Sequence, residues 1–262
     1  MHKTKIEYKK IFLCKNKVAV VTGGAGLIGR EICRGLYNFG AKVYIADSDE
    51  KQARNIIKNT PINYIPLDIK SENSVQTMLN KIQQSSDKID ILVNCAYPKT
   101  SDWNFKFEKV IFKSWKENVN AHLGGYFLCC QKTAEIMKQQ NGGSIINFGS
   151  IYGLVAPDFM IYEGRNMTMP VAYSAIKGGI IALTKYIATY YAKYNIRANV
   201  VSPGGVFNNQ DSSFVSRYAK KTPLGKMAKP EDIVGAVIYL ASDASSYVTG
   251  CNIIIDGGWT VW

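Results

Sequence analysis

The sequence predicts an α/β fold, a single doubly wound domain with a seven-stranded parallel sheet and helices on both faces. Three observations carry that expectation. Strand-like and helix-like segments alternate along the whole chain, as they do where helices make the crossovers of a parallel sheet. A glycine-rich turn (Gly23, Gly24, Gly26, Gly29) separates the first strand-like run from the first helical one. The 262 residues, 47% of them apolar, suffice for one large core. No repeat and no low-complexity linker divides residues 1–262.

"KVAVVT" is the first strand, and a helix follows from about Leu27 to Phe39. "AKVYIAD" is the second strand and "EKQARNIIKN" its helix. "INYIPLD" is the third; after it Ser71 caps a helix whose apolar positions 75, 78, 79 and 82 form one face. "IDILVNCA" is the fourth strand, and beyond a polar, aromatic loop a long helix runs from about Phe112 to Lys138. "GGSIINFGS" is the fifth strand, 171–194 a helix, and "IRANVVSPGG" the sixth strand. "KPEDIVGAVIYLAS" is a helix with Pro230 at its start, and "GCNIIIDGG" closes the sheet.

Thirty-two basic residues against 20 acidic ones give a net charge of +12. The charge is scattered, with Lys-Lys pairs at 9–10 and 220–221 and no basic block, so nucleic acid is not an expected partner. A basic surplus of this kind reflects either a lysine-rich composition or an anionic small-molecule substrate. No apolar run approaches the ~20 residues that span a bilayer. The basic N-terminal extension, 1–15, has only "IFLC" as an apolar stretch, short of the ~7–15 residues of a signal peptide. A cytoplasmic protein without membrane insertion is expected. Cysteines 14, 33, 95, 129, 130 and 251 form no Cys-x-x-Cys pair and no zinc-like cluster with the two histidines, so reduced thiols and no metal are expected.

The glycine turn has a chemical reading. Between a strand and a helix, such a turn lets backbone amides approach a pyrophosphate, and the helix N-terminus adds positive potential. Gly23 permits the tight turn, Gly26 the close approach, and Gly29 close packing of helix on strand. Asp47, ending the second strand, can accept hydrogen bonds from the adenosine ribose hydroxyls and repel a 2′-phosphate. With Asp49 and Glu50 nearby it argues for NAD over NADP; Arg30, the counter-argument, reads better as a surface residue of the first helix.

Tyr173 and Lys177, in "YSAIK", are four apart and so share a helical face. Together with the glycine loop they make the chain resemble the short-chain dehydrogenase/reductase superfamily over essentially its full length. The resemblance implies a Rossmann-type domain that binds NAD and moves a hydride between a secondary alcohol and a ketone. It implies cofactor contacts from Gly23, Gly26, Leu27, Ile28 and Gly29, from Asp68 and Ile69 after the third strand, and from Asn94 and Ala96 in "NCAY". Pro203, Gly204 and Val206, in and after "SPGG", complete that set with Tyr173 and Lys177. As catalytic residues it implies Asn120, Ser150, Tyr173 and Lys177. A tyrosine with a pKa near ~10 is a sluggish base at neutral pH, and a neighbouring ammonium lowers that value. Ser150 would polarise the substrate oxygen, and Asn120 would hold water that links Lys177 to solvent. His122, two residues beyond, reads as a packed helix histidine. Tyr97 stands where the family has glycine; it either projects toward substrate or nicotinamide, or caps the fourth strand.

The glycine spacing resembles the extended enzymes of the superfamily, since Gly26 is a glycine and Leu27 is not. Only residues 202–262 follow the sixth strand, too few for the C-terminal lobe those enzymes need, so the compact branch is expected. The stretch between Ser150 and Tyr173, 151–172, is longer than in most compact members. It offers Asp158, Tyr162, Glu163 and Arg165 for polar recognition, with Met160, Met167 and Met169 as adaptable packing. With Tyr97, Ser150 and Asn208 these suit a polyhydroxylated or anionic ligand. In the substrate loop, 205–228, Arg217, Lys220 and Lys221 could meet a phosphate or carboxylate. The "YEGRNMTMPVAYSAIK" stretch and "SPGGVFNNQ" also resemble a bacterial flagellin-modification subgroup linked to nonulosonic, legionaminic- or sialic-like sugars. That implies a sugar, sugar phosphate or nucleotide-activated sugar as substrate. A lipid- or polyol-directed reductase, or a non-catalytic NAD-binding regulator, is the alternative. The resemblance further implies a homotetramer or homodimer built on the two long helices, and "GGWTVW" reads as a further interface element.

Overall fold

Val18, Ala19, Val20, Val21 and Thr22 are buried along their whole length as β1 (Val18–Thr22), in a computed structural model that describes residues 7–164 and 168–261. β2 (Lys42–Asp47) and β4 (Ile91–Asn94) flank this strand in parallel, Val20 standing opposite Tyr44 on one side and Leu92 on the other. β3 (Asn63–Pro66), β5 (Gly143–Phe148), β6 (Ile196–Pro203) and β7 (Asn252–Ile255) complete one seven-stranded sheet in the order β3-β2-β1-β4-β5-β6-β7, every pair parallel. The strand order reverses between β1 and β4. Connections there leave in opposite directions and open a crevice above the C-terminal ends of the strands.

Alternate strand residues point to opposite faces, and both faces are covered. On one, Ala19, Val21, Val43, Ile45, Ile91 and Val93 pack against α1 (Gly29–Asn38) and α8 (Val234–Ala241), with Ala53 of α2 (Glu50–Ile57). On the other, Val18, Val20, Leu92 and Ile145 meet α3 (Glu72–Ser86), α5 (Gly125–Gln139) and α6 (Val171–Tyr191). The Ser71 hydroxyl caps α3, accepting from the Ser74 amide at 3.2 Å. Pro230 opens a 3-10 turn, Pro230–Ile233, that leads into α8. Of the N-terminal extension, 10–12 form a 3-10 turn and Cys14 is buried, its amide donating to the Phe39 carbonyl at 2.8 Å.

One expected element differs. The long helix at 112–138 is α4 (Phe112–Val119), a π turn (Asn120–Gly124) and then α5. A π turn holds more residues than an α turn, so side chains beyond it are rotated relative to a continuous 3.6 period. Asn120, which opens the π turn, lies exposed, while His122 is wholly buried. The loop after β6 is more ordered than a flexible lid: it contains α7 (Ser212–Lys220), and a bridge between Val206 and Ala228 closes its base. Among the described residues no helix is long and apolar enough to cross a membrane, and no group of three His, Cys, Asp or Glu could hold a metal.

Candidate functional site

The crevice above β1 and β4 is a cavity of about 940 Å³ that runs from the glycine turn to Tyr173 and on to α7. Gly23 has φ +67°, and a β-carbon on it would lie 2.5 Å from the Ala96 Cα. A β-carbon on Gly29 would lie 2.2 Å from the Gly23 carbonyl oxygen, so this glycine lets the turn close on itself rather than letting helix meet strand. Gly26 is less confined, its nearest neighbour being the Gly23 oxygen at 3.2 Å. Asp47 braces the turn: its carboxylate accepts from the Ala25 amide at 2.9 Å and the Asp49 amide at 3.0 Å.

Leu27 and Ile28 line the cavity with the glycines and Asp47, as do Asp68, Ile69 and Ala96, and Pro203, Gly204 and Val206 at the far side. Arg30 does not line it. A nicotinamide dinucleotide fits what is there: a cradle that β-carbons would fill, at a helix N-terminus, with a carboxylate at the end of the second strand. Asn94 is a correction. Its side chain accepts from Thr22 at 3.2 Å and donates to Asn147 at 2.9 Å, and Asn147 donates to Thr184 at 2.9 Å. This buried row ties β1, β4 and β5 to α6 beneath the cavity, and Asn94 is not part of the cavity wall.

Ser150, Tyr173 and Lys177 meet at the cavity floor. The Ser150 hydroxyl accepts from the Tyr152 amide at 3.2 Å and hydrogen-bonds the Tyr173 phenol. Burial pushes the Tyr173 phenol above its usual value, and the Ser150 bond pulls the other way. Lys177, 3% exposed, donates from Nζ to the Phe148 carbonyl at 2.7 Å and lies 5.6 Å from the centre of the Tyr173 ring. Burial brings its ammonium down to about 7, opposed by nearby Cys95. The expectation that Lys177 lowers the Tyr173 pKa is therefore not met in this geometry: desolvation outweighs a cation that sits over the ring face and is itself easily deprotonated.

Asn120 does not join this group. It is exposed and outside the cavity. His122 takes the inner position instead, Nε2 at 3.4 Å from Lys177 Nζ. Two residues along a helix lie on nearly opposite faces, so only one of the pair can look into the site, and the motif resemblance pointed to the other.

At the substrate end Tyr97 lies in the cavity wall, rather than merely capping β4. Its ring stands edge-on to Tyr173 at 5.8 Å and to His122 at 5.4 Å, and its hydroxyl accepts from Trp103 Nε1 at 2.9 Å. Tyr162 and Asn208 also line the cavity. Glu163 does not: it is exposed, and its backbone carbonyl accepts from Arg217 at 2.9 Å. Arg165 and Met167 lie outside the described residues. Asp158 pairs with Lys221, and Arg217 also donates to the Met160 carbonyl at 3.2 Å, so these charges join the 151–172 insertion to α7 instead of lining the cavity. Trp103, Tyr152, Phe214 and Tyr218 line it and were missed. The i, i+4 spacing of Phe214 and Tyr218 was a legible signal; Trp103 arrives from a loop and left none. Trp259 of "GGWTVW" is buried, stacked on Tyr218 at 4.3 Å, because the C-terminus folds back under the substrate loop.

Comparison with known proteins agrees with this geometry. A family model described as enoyl-(acyl carrier protein) reductase matches residues 23–260. The post-translational flagellin modification protein A of Campylobacter coli is 33% identical over 255 residues, covering 94% of this chain and 99% of that protein. A short-chain dehydrogenase from Leptospira borgpetersenii, solved with bound NAD+, superposes with a TM-score of 0.86 at 36% identity, over 99% of this chain and 98% of that one. A gluconate 5-dehydrogenase from Burkholderia cenocepacia, in complex with NADP and tartrate, gives 0.87 at 26% identity, over 98% and 100%. This chain belongs to the short-chain dehydrogenase/reductase family, as an oxidoreductase of CH–OH groups that works with a nicotinamide dinucleotide.

Proposed function

We propose that this protein interconverts a secondary alcohol and a ketone on a sugar-like substrate, using NAD(H), with Tyr173 as acid and base. The observation that carries the reading is the meeting of Ser150, Tyr173 and Lys177 at the floor of one cavity. The dinucleotide, when bound, supplies or accepts the hydride. The protein's own groups handle the oxygen and its proton. Ser150, hydrogen-bonded to the Tyr173 phenol, would turn its hydroxyl proton to the substrate oxygen. Tyr173, kept as a phenol by burial, donates to the developing alkoxide in reduction; Lys177, at about 7, can exchange protons near neutrality.

NAD is favoured over NADP because the Asp47 carboxylate faces the adenosine end of the cavity while Arg30 does not line it. A sugar is favoured because the substrate end presents Tyr97, Trp103, Tyr162 and Tyr218 beside the Asn208 amide. Aromatic faces suit the C–H face of a sugar ring, and hydroxyls and amides suit its substituents. Lys99 at that end suits an anionic group. The Campylobacter relative supports a place in bacterial surface-glycan synthesis, with nonulosonic sugars or their precursors as the substrate class. We place the enzyme in the cytoplasm as a homotetramer or homodimer.

The test is formation of NADH from NAD, read by absorbance, on free, phosphorylated and nucleotide-activated sugars and nonulosonates, with polyols and acyl ketones alongside. Tyr173→Phe should lower turnover about 10²–10⁴-fold on the active class. Turnover that survives in the variant removes Tyr173 from the chemistry, and activity confined to polyols or acyl ketones removes the sugar.

A further inference from the structure

Among the described residues no carboxylate pairs with Lys177. Its Nζ meets the Phe148 carbonyl at 2.7 Å, His122 Nε2 at 3.4 Å, and the faces of Tyr126 and Tyr173 at 5.4 and 5.6 Å. The remaining titratable groups around the pair are Cys95, which acts electrostatically on Lys177, and Tyr97, edge-on to His122. Tyr126 lies 5.2 Å from the imidazole on its other side. His122 itself is wholly buried, and among the described residues nothing bonds its Nδ1. A buried N–H or lone pair left unmade is costly, so a fold that keeps one beside a lysine of its active site invites a reason.

We propose that His122 is the proton-exchange partner of Lys177, taking a proton at Nε2 and releasing one to water at Nδ1. The proposal rests on the reading of Lys177 as part of the Tyr173 machinery. Its balance is simple. An N–H bond of the Lys177 ammonium breaks as the Nε2–H bond forms; the Nδ1–H bond then breaks, and water carries the proton away. Imidazole returns neutral in its other tautomer, no electron changes hands, and one positive charge has moved. Two nitrogens on one ring make this possible. An asparagine side chain could hold a water beside Lys177 but has no second titratable nitrogen through which to pass the proton. Burial and the charge of Lys177 both hold the imidazole well below its ordinary pKa, so the pair carries one proton at a time.

The chain has two histidines, so His2→Gln leaves His122 as the sole imidazole. Ring-¹⁵N spectra of that full-length protein across pH 5.5–9 read its tautomer without any substrate. While Lys177 is charged, Nε2 must be the acceptor and the Nδ1–H tautomer should dominate. As Lys177 loses its proton around pH 7 the Nε2–H tautomer should grow in, and Lys177→Met (or Lys177→Gln, should the first fail to fold) should abolish the change. Nδ1–H should also exchange with water within milliseconds despite its burial. An imidazole that titrates to the cation near its usual pKa, a tautomer indifferent to Lys177, or a ring N–H protected for minutes overturns the proposal. None of these readings depends on turnover, so an inactive substrate panel with the tautomer change intact would count against the proposed function alone.

Discussion

Lys177 is a residue whose usefulness opposes the fold. Its pKa falls from 10.5 in the open chain to about 7 when buried. Below pH 7 the ammonium is charged in both states, and its desolvation weighs fully against folding. Between pH 7 and 10.5 the folded lysine is neutral while the unfolded one still holds its proton, so stability rises with pH across that window. Lys177→Met should therefore be more stable than the parent by on the order of 3 kcal/mol at pH 6, with the gap closing toward pH 10. Urea unfolding at several pH values measures it, and parallel curves would contradict it. Asp47 is the second residue with two duties, since its carboxylate both holds the Ala25 amide and faces the cavity. Asp47→Ala should raise NADPH affinity relative to NADH and weaken both by loosening the turn; fluorescence titration with the two nucleotides separates these effects.

At the scale of elements, the glycine turn and the substrate loop make contrasting demands. Gly29→Ala drives a β-carbon onto the Gly23 carbonyl, whereas Gly26→Ala meets nothing nearer than 3.2 Å. The first should abolish dinucleotide binding and the second weaken it far less, as calorimetry would register; equal losses would mean that Gly26 is pressed by the ligand itself. α7 is joined to the 151–172 insertion by the Arg217 bonds to Met160 and Glu163 and by the Lys221–Asp158 pair. Arg217→Ala should therefore raise KM several-fold while leaving kcat within about a factor of three, because it loosens the wall and not the chemistry. The helix after β4 is where element-level reading failed. Hydrophobic period identifies a helix but not its π turn, and the motif resemblance placed Asn120 where His122 stands.

At the scale of the whole molecule, aromatic side chains stand open on three helices. Phe112 (72% exposed) on α4, Phe127 on α5, and Tyr186 and Tyr190 on α6 lie open on helices that pack beside one another. Exposed aromatic side chains of that size mark a candidate interaction site, and a second copy of this chain is the occupant in the proposed assembly. Sedimentation should give a dimer or tetramer at micromolar concentration, and Tyr186→Glu combined with Phe127→Glu should shift it toward monomer without loss of helical signal. A wild-type monomer would contradict the assembly.

Much of this protein was legible in its sequence because local chemistry dictates it. The alternation of strands and helices, the Ser71 cap, the glycine turn with Asp47, and the Tyr173–Lys177 pair follow from periodicity, backbone freedom and spacing on a helix face. The site needed more. Which side chains face the cavity depends on where loops distant in sequence are laid down, so Trp103 and Tyr152 entered unannounced while Glu163 and Asp158 joined other contacts outside it. Asn94 looked like a ligand contact, and only the neighbouring strands reveal that its hydrogen bonds are spent within the sheet. Which of Asn120 and His122 faces Lys177, and the lowered affinity of Lys177 for its proton, were decided by tertiary structure alone: both depend on what packs around the lysine, and burial is not local to the sequence.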